Sequence, residues 1–285
     1  MKKYYKVLLF LSFLLCCTLI VIFINFYKSN SQSQSFHPID SVKIANYKFR
    51  YVPNEAYGFG ERLDYKVGYK FITAGTGYLQ ISPSPVYKYG RECYNVQFEV
   101  RSLESLDFLY RVRDAYSSII DVGGIFPWEF TQTIREGNYK RDAKAYFDQF
   151  NKKTWTGDKS YDVPEYINDI VSAFYYVRTL DLSSMSKGTV FYLENFFDNK
   201  TWKLGVKILG KDVAEVDAGK FNCIVIEPLV VEGGLFKSEG SIYIWLTDDD
   251  RKIPVKVATK IPIGYVEAKL TSYKGIRGPI KAKIQ

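Results

Sequence analysis

The chain has 285 residues, a formal net charge of +8 at pH 7 and many aromatic side chains, including 24 Tyr and 20 Phe. Its single histidine, His37, lies in a polar N-terminal stretch, which excludes a Ser-His-Asp or Cys-His catalytic site and a histidine-based metal site. Nucleic-acid binding is disfavoured because it needs a concentrated basic surface, whereas the basic residues here are interspersed with acids.

Residues 1–31 have the layout of a signal peptide or an N-terminal membrane anchor. Three lysines precede an unbroken apolar run over residues 7–26, which is about long enough to span a bilayer. Three fates stay open: cleavage after Ser31, retention of residues 7–26 in a membrane, or lipidation at Cys16 or Cys17. All three predict an exported protein, either periplasmic or attached to a membrane of the cell envelope.

Residues 32–59 are predicted to form a linker and an irregular lead-in, because the stretch is polar and contains Pro38 and Pro53. From residue 60 to about residue 275, runs of alternating apolar and polar residues recur between Gly-, Asn- and Asp-rich turns. We assign residues 60–275 to one β-rich exported domain and residues 276–285 to a C-terminal tail.

The alternating runs predict a mainly β fold with roughly a dozen strands. Strands that follow one another through short turns pair in antiparallel fashion. A sheet of that length rarely stays flat, so it is expected to curl. The predicted architecture is a curved antiparallel sheet, or a partly open β-barrel, that clasps one amphipathic helix.

That helix is predicted over about residues 163–180, with Asp162 as its N-cap and Pro164 in its first turn. Asp169, Ser172 and Tyr176 fall on its polar side. The other side is an apolar arc at helical spacing, formed by Val163, Ile167, Ile170, Val171, Phe174 and Val177. Burial of this arc against the concave face of the sheet would close the core.

Arg178 lies within the apolar arc, where a guanidinium group must be paired and hydrogen-bonded. It is either a structural group, in a salt bridge or reaching water at the helix end, or an anion-holding residue inside a cavity. If Tyr175, Trp128 and Trp245 share a concave surface with Arg178, the four form an apolar pocket with a cationic end. These four residues are the predicted ligand-binding residues, with core packing as the alternative for the aromatic ones.

Cys93 and Cys223 are the two cysteines beyond the leader, and both lie in strand-like segments. An oxidising compartment permits a disulfide, but pairing depends on geometry, and two buried free thiols are the simpler interpretation. No metal site is predicted, since the CxxC spacing of zinc sites is absent. No cofactor is predicted either, because the chain has no GxGxxG or GxxxxGK[ST] phosphate loop.

Three short motifs resemble those of the domain-of-unknown-function family 3108. The first is Gly-Glu-Arg-Leu-Asp-Tyr at residues 60–65 with Ala-Gly at 74–75, and the second is the run at residues 169–178. The third runs from Gly-Ser-Ile-Tyr-Ile-Trp at residues 240–245 to Arg-Lys-Ile-Pro-Val at 251–255. The resemblance implies a β-rich protein exported from a Gram-negative bacterium. The family has no agreed activity, so it transfers no catalytic residue.

These observations lead us to expect a non-enzymatic envelope protein that binds a hydrophobic or amphiphilic envelope component, such as a lipid. An envelope scaffold that binds other proteins through an exposed sheet edge is the alternative. A carboxylate-based hydrolase is a third possibility, with acid pairs such as Glu61 and Asp64 or Glu99 and Glu104. The run Asp248-Asp249-Asp250 is interpreted as a solvated turn rather than a cation site.

Overall fold

A computed structural model describes residue 44 and residues 47–230, 242–261 and 264–284. Residues 1–31 and half of the predicted linker and lead-in, with the predictions made for them, lie outside these residues. In the described part the fold is mainly β, as predicted, with one α-helix, α1 (Ile170–Arg178). The strands are β1 (Arg62–Tyr69), β2 (Ile72–Ile81), β3 (Val86–Lys88), β4 (Arg91–Ser102), β5 (Arg113–Asp121), β6 (Pro127–Glu136), β7 (Tyr139–Asp148), β8 (Lys153–Thr156), β9 (Lys159–Asp162), β10 (Val190–Phe197), β11 (Lys200–Val216), β12 (Gly219–Val230), β13 (Ile242–Thr247), β14 (Pro254–Ile261), β15 (Gly264–Lys274) and β16 (Lys283–Ile284).

All of these strands belong to one sheet, in the order β10-β11-β12-β13-β14-β15-β1-β2-β4-β5-β6-β7-β8-β9, with β3 paired to β4 and β16 paired to β12. Its 16 described strands exceed the predicted dozen, because short β-bridging pieces such as β3 and β16 carry no recognisable alternation. Neighbouring strands pair antiparallel, with turns between sequential partners. The sheet curls around α1 but is not closed by a ladder between β9 and β10.

The strands form where the alternation of the sequence matches a half-buried sheet. In β6 every second residue is buried, and the pattern continues through the paired β5. The β10–β11 turn uses Asp198 and Asn199 at positive φ, which suits a tight hairpin connection. The alternation therefore fixes which side chains face α1, here called the inner face of the sheet.

The helix begins later than the sequence predicts. Asp162 ends β9 rather than capping the helix, and Tyr166 has a positive φ of 57°. Asn168 then pairs with β10 through a parallel bridge to Asn195. The backbone of residues 163–168 therefore forms a connection with a turn at residues 165–166, and the true N-cap is Asp169.

The polar side assigned to the helix is also wrong for two of its three residues, while Tyr176 is partly exposed. Asp169 and Ser172 are fully buried, because they form a capping box in which each side chain accepts from the other residue's backbone N–H. Tyr175 and Arg178 are buried as well. The helix is thus enclosed by the sheet on more than the predicted apolar arc.

The long hairpin of β11 and β12 bends back over the outer face of the sheet. A register shift at Ile208–Gly210 introduces the bend, and Gly210 adopts a φ of 114°, which favours glycine. Lys66 of β1 forms a salt bridge of 2.6 Å with Asp217 near the hairpin tip. Part of the predicted C-terminal tail pairs with this hairpin as β16.

Residues 47–59 have no regular secondary structure, in keeping with an irregular lead-in, but they pack on the core through Phe49 and Tyr57. Cys93 and Cys223 are both free and buried, so they do not pair. Burial raises the pKa of each thiol to about 12. No helix among the described residues has the length and hydropathy to cross a membrane.

Candidate functional site

An apolar cavity of about 230 Å³ lies between α1 and the inner face of the sheet. The helix contributes Ile170, Val171, Ala173, Phe174 and Val177 to its wall. Strands from both halves of the sheet contribute side chains that include Val67, Leu79, Phe98, Val100, Leu204, Ile226, Ile244 and Val257. The cavity therefore occupies the space that the curled sheet encloses and that α1 only partly fills.

The wall of this cavity is almost entirely hydrocarbon. Tyr65 and Tyr116 carry the only hydroxyl groups among its described lining residues, and Tyr65 donates its hydroxyl proton to the Pro254 carbonyl at 2.7 Å. Apolar cavities of about 150 Å³ in proteins stay dry and bind small apolar molecules such as benzene. This cavity is larger, so it can hold a ring system or a length of alkyl chain.

Arg178 does not line the cavity; it is fully buried in a salt bridge with Glu61. Nη1 and Nη2 donate to the two Glu61 carboxylate oxygens at 2.6 and 2.8 Å, and Nε donates to the Lys252 carbonyl at 3.1 Å. Nη2 also donates to the Arg251 carbonyl at 3.2 Å. Burial alone would lower the pKa of Arg178, but the Glu61 carboxylate raises it above its ordinary value. The structural interpretation of Arg178 holds, and the idea of an anion-holding residue is wrong for this geometry.

Tyr175 belongs to the same buried cluster as Arg178. The Arg178 guanidinium carbon lies 5.1 Å from the centre of the Tyr175 ring and 5.0 Å from that of Tyr57. The two tyrosine rings meet edge to face at 4.8 Å. This cluster fastens the C-terminal end of α1 to the segment before β1 and to the β13–β14 turn, and so determines where the helix lies above the cavity.

Trp128 and Trp245 lie apart from this cluster and from each other. Trp128 is buried at the start of β6 against Phe49, Tyr89 and Phe126, with ring centres 5.2–5.6 Å apart. Trp245 is on the outer face, since its neighbour Ile244 lines the cavity. The prediction that the four candidate residues share one pocket is therefore wrong: only Arg178 and Tyr175 meet.

The N-terminal end of α1 is held by the buried carboxylate of Asp169. One of its oxygens accepts from the Val171 and Ser172 backbone N–H groups at 2.7 and 2.9 Å. The other accepts from the Ser118 hydroxyl of β5 at 2.7 Å. Burial raises the pKa of Asp169 to about 6, although these donated hydrogen bonds oppose the shift.

Asp169→Asn should change how stability depends on pH. Because the folded-state pKa of about 6 exceeds the ordinary 3.8, this group stabilises the fold most below about pH 4, and the contribution is lost as the pH rises through 6. Asparagine can still cap the helix but does not titrate. Denaturant unfolding measures the free energy of unfolding of both proteins. When the pH is lowered from 6.5 to 4, this free energy should rise by about 2–3 kcal/mol more in the wild type than in the variant. A difference that stays constant with pH would contradict the shift.

The acidic run that follows β13 is a structural turn. One oxygen of Asp249 accepts from the Thr247 hydroxyl at 2.8 Å and from the Arg251 backbone N–H at 3.0 Å. Its other oxygen accepts from the Ala282 backbone N–H at 2.9 Å. Among the described residues, no group of three or more Cys, His, Asp or Glu side chains is placed to hold a metal ion.

A family model described as a protein of unknown function, DUF3108, matches residues 64–271, which is most of the chain. The chain belongs to the DUF3108 family. The match includes α1 and every strand that lines the cavity. Comparison with curated proteins gives no match.

Three solved structures are similar to this DUF3108 protein at low sequence identity. A β-barrel-like protein of domain-of-unknown-function family 1849 from Brucella abortus is 11% identical, with a TM-score of 0.51 over 80% of this chain and 99% of that one. A candidate lipoprotein from Parabacteroides distasonis is 9% identical, with a TM-score of 0.34 over 80% of this chain and all of that one. A candidate exported protein with a YmcC-like fold from Bacteroides fragilis is 13% identical, with a TM-score of 0.30 over the same shares. Only the first similarity is close enough to support an argument, and it supports the barrel-like fold alone.

The cavity-lining residues of this DUF3108 protein were missed as a set at the sequence level. Alternation does place Ile242, Ile244 and Leu246 on one face of β13, but it does not tell which inner-face side chains touch one another and which leave space. The partner of Arg178 was also missed, because Glu61 lies 117 residues earlier in the chain.

Proposed function

We propose that this DUF3108 protein is a non-enzymatic protein of the cell envelope that binds an apolar or amphiphilic molecule between α1 and the inner face of the sheet. The observation that carries the proposal is the nearly all-hydrocarbon wall of the 230 Å³ cavity. A pocket with such a wall recognises hydrocarbon by exclusion of water rather than by hydrogen bonds. A lipid acyl chain or a comparable apolar group fits this chemistry.

The proposal of a binding protein rather than an enzyme follows from the groups at the cavity. No acid, base or nucleophile of the usual kinds is among its described lining residues, apart from the two tyrosine hydroxyls. Of the acid pair suggested for hydrolysis, Glu61 is engaged by Arg178, and Asp64 accepts from Arg62 at 2.9 Å. A carboxylate-based hydrolase would need its acids elsewhere, so it ranks below binding.

The proposed location rests on the leader, residues 1–31, with its cationic start and long apolar run. An apolar ligand is scarce in free solution but abundant in membranes, so a binding protein of this kind would work next to a bilayer. Location in the periplasm or on an envelope membrane supplies that neighbour.

The alternative function, an envelope scaffold that captures partners at a free strand edge, has less support. The edge at β10 is partly in use, since the Asn168 backbone N–H donates to the Glu194 carbonyl at 3.0 Å and the Phe196 N–H donates to the Asn168 carbonyl at 2.7 Å. The edge strand at the other end of the sheet, β9, has four residues. Short edge strands offer little length for an added strand.

Ile244→Trp should block ligand binding. Ile244 lines the cavity, so the larger indole ring would occupy the space that a ligand needs. Titration with N-phenyl-1-naphthylamine, a neutral apolar fluorophore, should show an affinity at least about tenfold weaker than that of the wild type, because tenfold corresponds to about 1.4 kcal/mol of lost contact.

Tyr243→Trp is the matched control for this experiment. It adds the same ring at the neighbouring position, whose side chain lies against Trp245 and Tyr265 on the outer face. Its affinity for the fluorophore should equal that of the wild type. The proposal would be contradicted if both variants lost the same amount of affinity for the fluorophore. It would also be contradicted if Ile244→Trp bound the fluorophore as well as the wild type and had an unchanged melting temperature.

A further inference from the structure

The two most exposed large hydrophobic side chains of the described residues, Phe71 and Phe108, lie at one end of the sheet. Phe71 is 91% exposed in the β1–β2 turn, and Phe108 is 80% exposed in the β4–β5 loop. Ile72 and Leu109, next to them in sequence, are 44% and 42% exposed. We call these four residues the apolar tips.

The two segments that carry the apolar tips are neighbours. Strands β2 and β4 pair directly, with Gly75 opposite Ser102. The Leu103 backbone N–H donates to the Ala74 carbonyl at 3.0 Å, and buried Ala74 and Val112 pack together with Leu106 and Tyr110 beneath the loop. The two segments that carry the apolar tips are therefore held together by this hydrogen bond and by the apolar packing beneath the loop.

The two segments that carry the apolar tips have a net positive charge, although Glu215, Asp217 and Glu267 lie next to the β1–β2 turn. Residues 69–72 and 101–113 together carry four basic residues and two acids. One of the acids, Asp107, is held by Arg113 at 2.6 Å. Lys70 is exposed in the β1–β2 turn, and the Arg111 side chain is 67% exposed. Exposed apolar side chains beside Lys70 and Arg111 fit the surface of a membrane that contains anionic lipids.

The apolar tips also lie at the end of the sheet toward which the cavity extends. Pro228 and Ile242, partly exposed lining residues, stand at the ends of β12 and β13 that face this way. Across the sheet, Val67 and Val100 line the cavity close to the β1–β2 turn and the β4–β5 loop. The opposite end is closed by the Arg178–Glu61 cluster.

We propose that the apolar tips insert into the interfacial region of a bilayer that contains anionic phospholipids and dock the cavity-bearing end of the protein on it. Phenylalanine rings would enter the headgroup and acyl boundary, while Lys70 and Arg111 contact lipid phosphates. This surface goes beyond the proposed ligand binding and does not depend on whether the cavity is filled. A second copy of the chain is the competing occupant.

The test uses the full-length chain with phosphatidylcholine vesicles, with or without phosphatidylglycerol, some carrying brominated acyl chains. Phe71→Trp and Phe108→Trp each place a fluorophore at an apolar tip. Tyr87→Trp is the matched control, since Tyr87 is 67% exposed on β3, which pairs with the other end of β4. The emission and quenching of the introduced tryptophan report only on the substituted position. Insertion of the N-terminal apolar run into the same vesicles therefore cannot produce these signals.

With anionic vesicles, tryptophan at positions 71 and 108 should shift to shorter wavelength and be quenched by bromine, beyond the signal of the wild-type tryptophans. At position 87 neither change should occur. High salt, or Lys70→Glu in the Phe71→Trp background, should reduce the quenching several-fold, because both weaken attraction to the anionic surface.

Three results would overturn the proposal. One is tryptophan at positions 71 and 108 that stays in water when the protein is on anionic vesicles. Another is equal quenching at position 87, which would show unspecific adsorption. The third is a blue shift that depends on protein concentration without any lipid, which would assign the apolar tips to self-association.

Discussion

Arg178→Met should lower the free energy of unfolding by about 3–5 kcal/mol, because it leaves the Glu61 carboxylate buried without its partner. Both side chains are almost completely shielded from water. The substitution also leaves the Lys252 and Arg251 carbonyls without the donors they now have. Chemical denaturation followed by circular dichroism would measure the loss.

Two comparisons make this result specific to the buried pair. Lys66→Met breaks an exposed salt bridge with Asp217 and should cost only about 0–1 kcal/mol. Replacing both partners, as Glu61→Leu with Arg178→Met, should recover much of the loss, since apolar pairs can substitute for buried ion pairs. A cost for Arg178→Met no larger than that of Lys66→Met would show that the cluster does not hold α1 in place.

Trp128→Ala should be similarly costly, at about 3–5 kcal/mol, because a large buried ring is removed from a close-packed aromatic cluster. Phe49, Tyr89 and Phe126 surround the indole, and its Nε1–H points to Asp121 at 3.4 Å. Thermal and denaturant unfolding would both show the change.

Trp245→Ala is the natural comparison for Trp128→Ala. Trp245 is only partly buried on the outer face, where its Nε1–H donates to Asp212 at 2.8 Å and the Lys256 ammonium lies 3.7 Å from the ring centre. Loss of one exposed hydrogen bond and one partly buried cation–π contact should cost about 1–2 kcal/mol. Equal costs for the two tryptophans would contradict the assignment of Trp128 to the core and Trp245 to the surface.

The sheet could be predicted from the sequence because its signals are local. Alternation in segments such as β1 and β6 reflects the period of two, and pairs such as Asp198-Asn199 mark a hairpin turn by their own conformational preferences. Antiparallel pairing of sequential strands and curling of a long sheet follow from these local assignments. The resemblance of short motifs to DUF3108 implied the same fold, and the family match over residues 64–271 confirms the resemblance.

The candidate site could not be predicted in the same way, because it depends on contacts between distant parts of the chain. The partner of Arg178 is Glu61, and the start of α1 is decided by the bridge between Asn168 and Asn195 and by Ser118 of β5. Tertiary pairing overrides the local helix signals at Asp162 and Pro164. The cavity arises from unfilled space between side chains. Neither the amino-acid composition nor the period of the apolar residues in the sequence reveals such a space.

The central claim is that the space between α1 and the inner face of the sheet holds an apolar molecule. Native mass spectrometry of the wild-type and Ile244→Trp proteins, purified side by side from the cells that express them, tests it most directly. The account predicts that the wild type carries an additional mass, extractable into organic solvent, that is missing from the variant. A wild-type mass equal to that of the polypeptide alone would contradict the binding of an apolar molecule. An additional mass that is equally abundant in both proteins would contradict it as well.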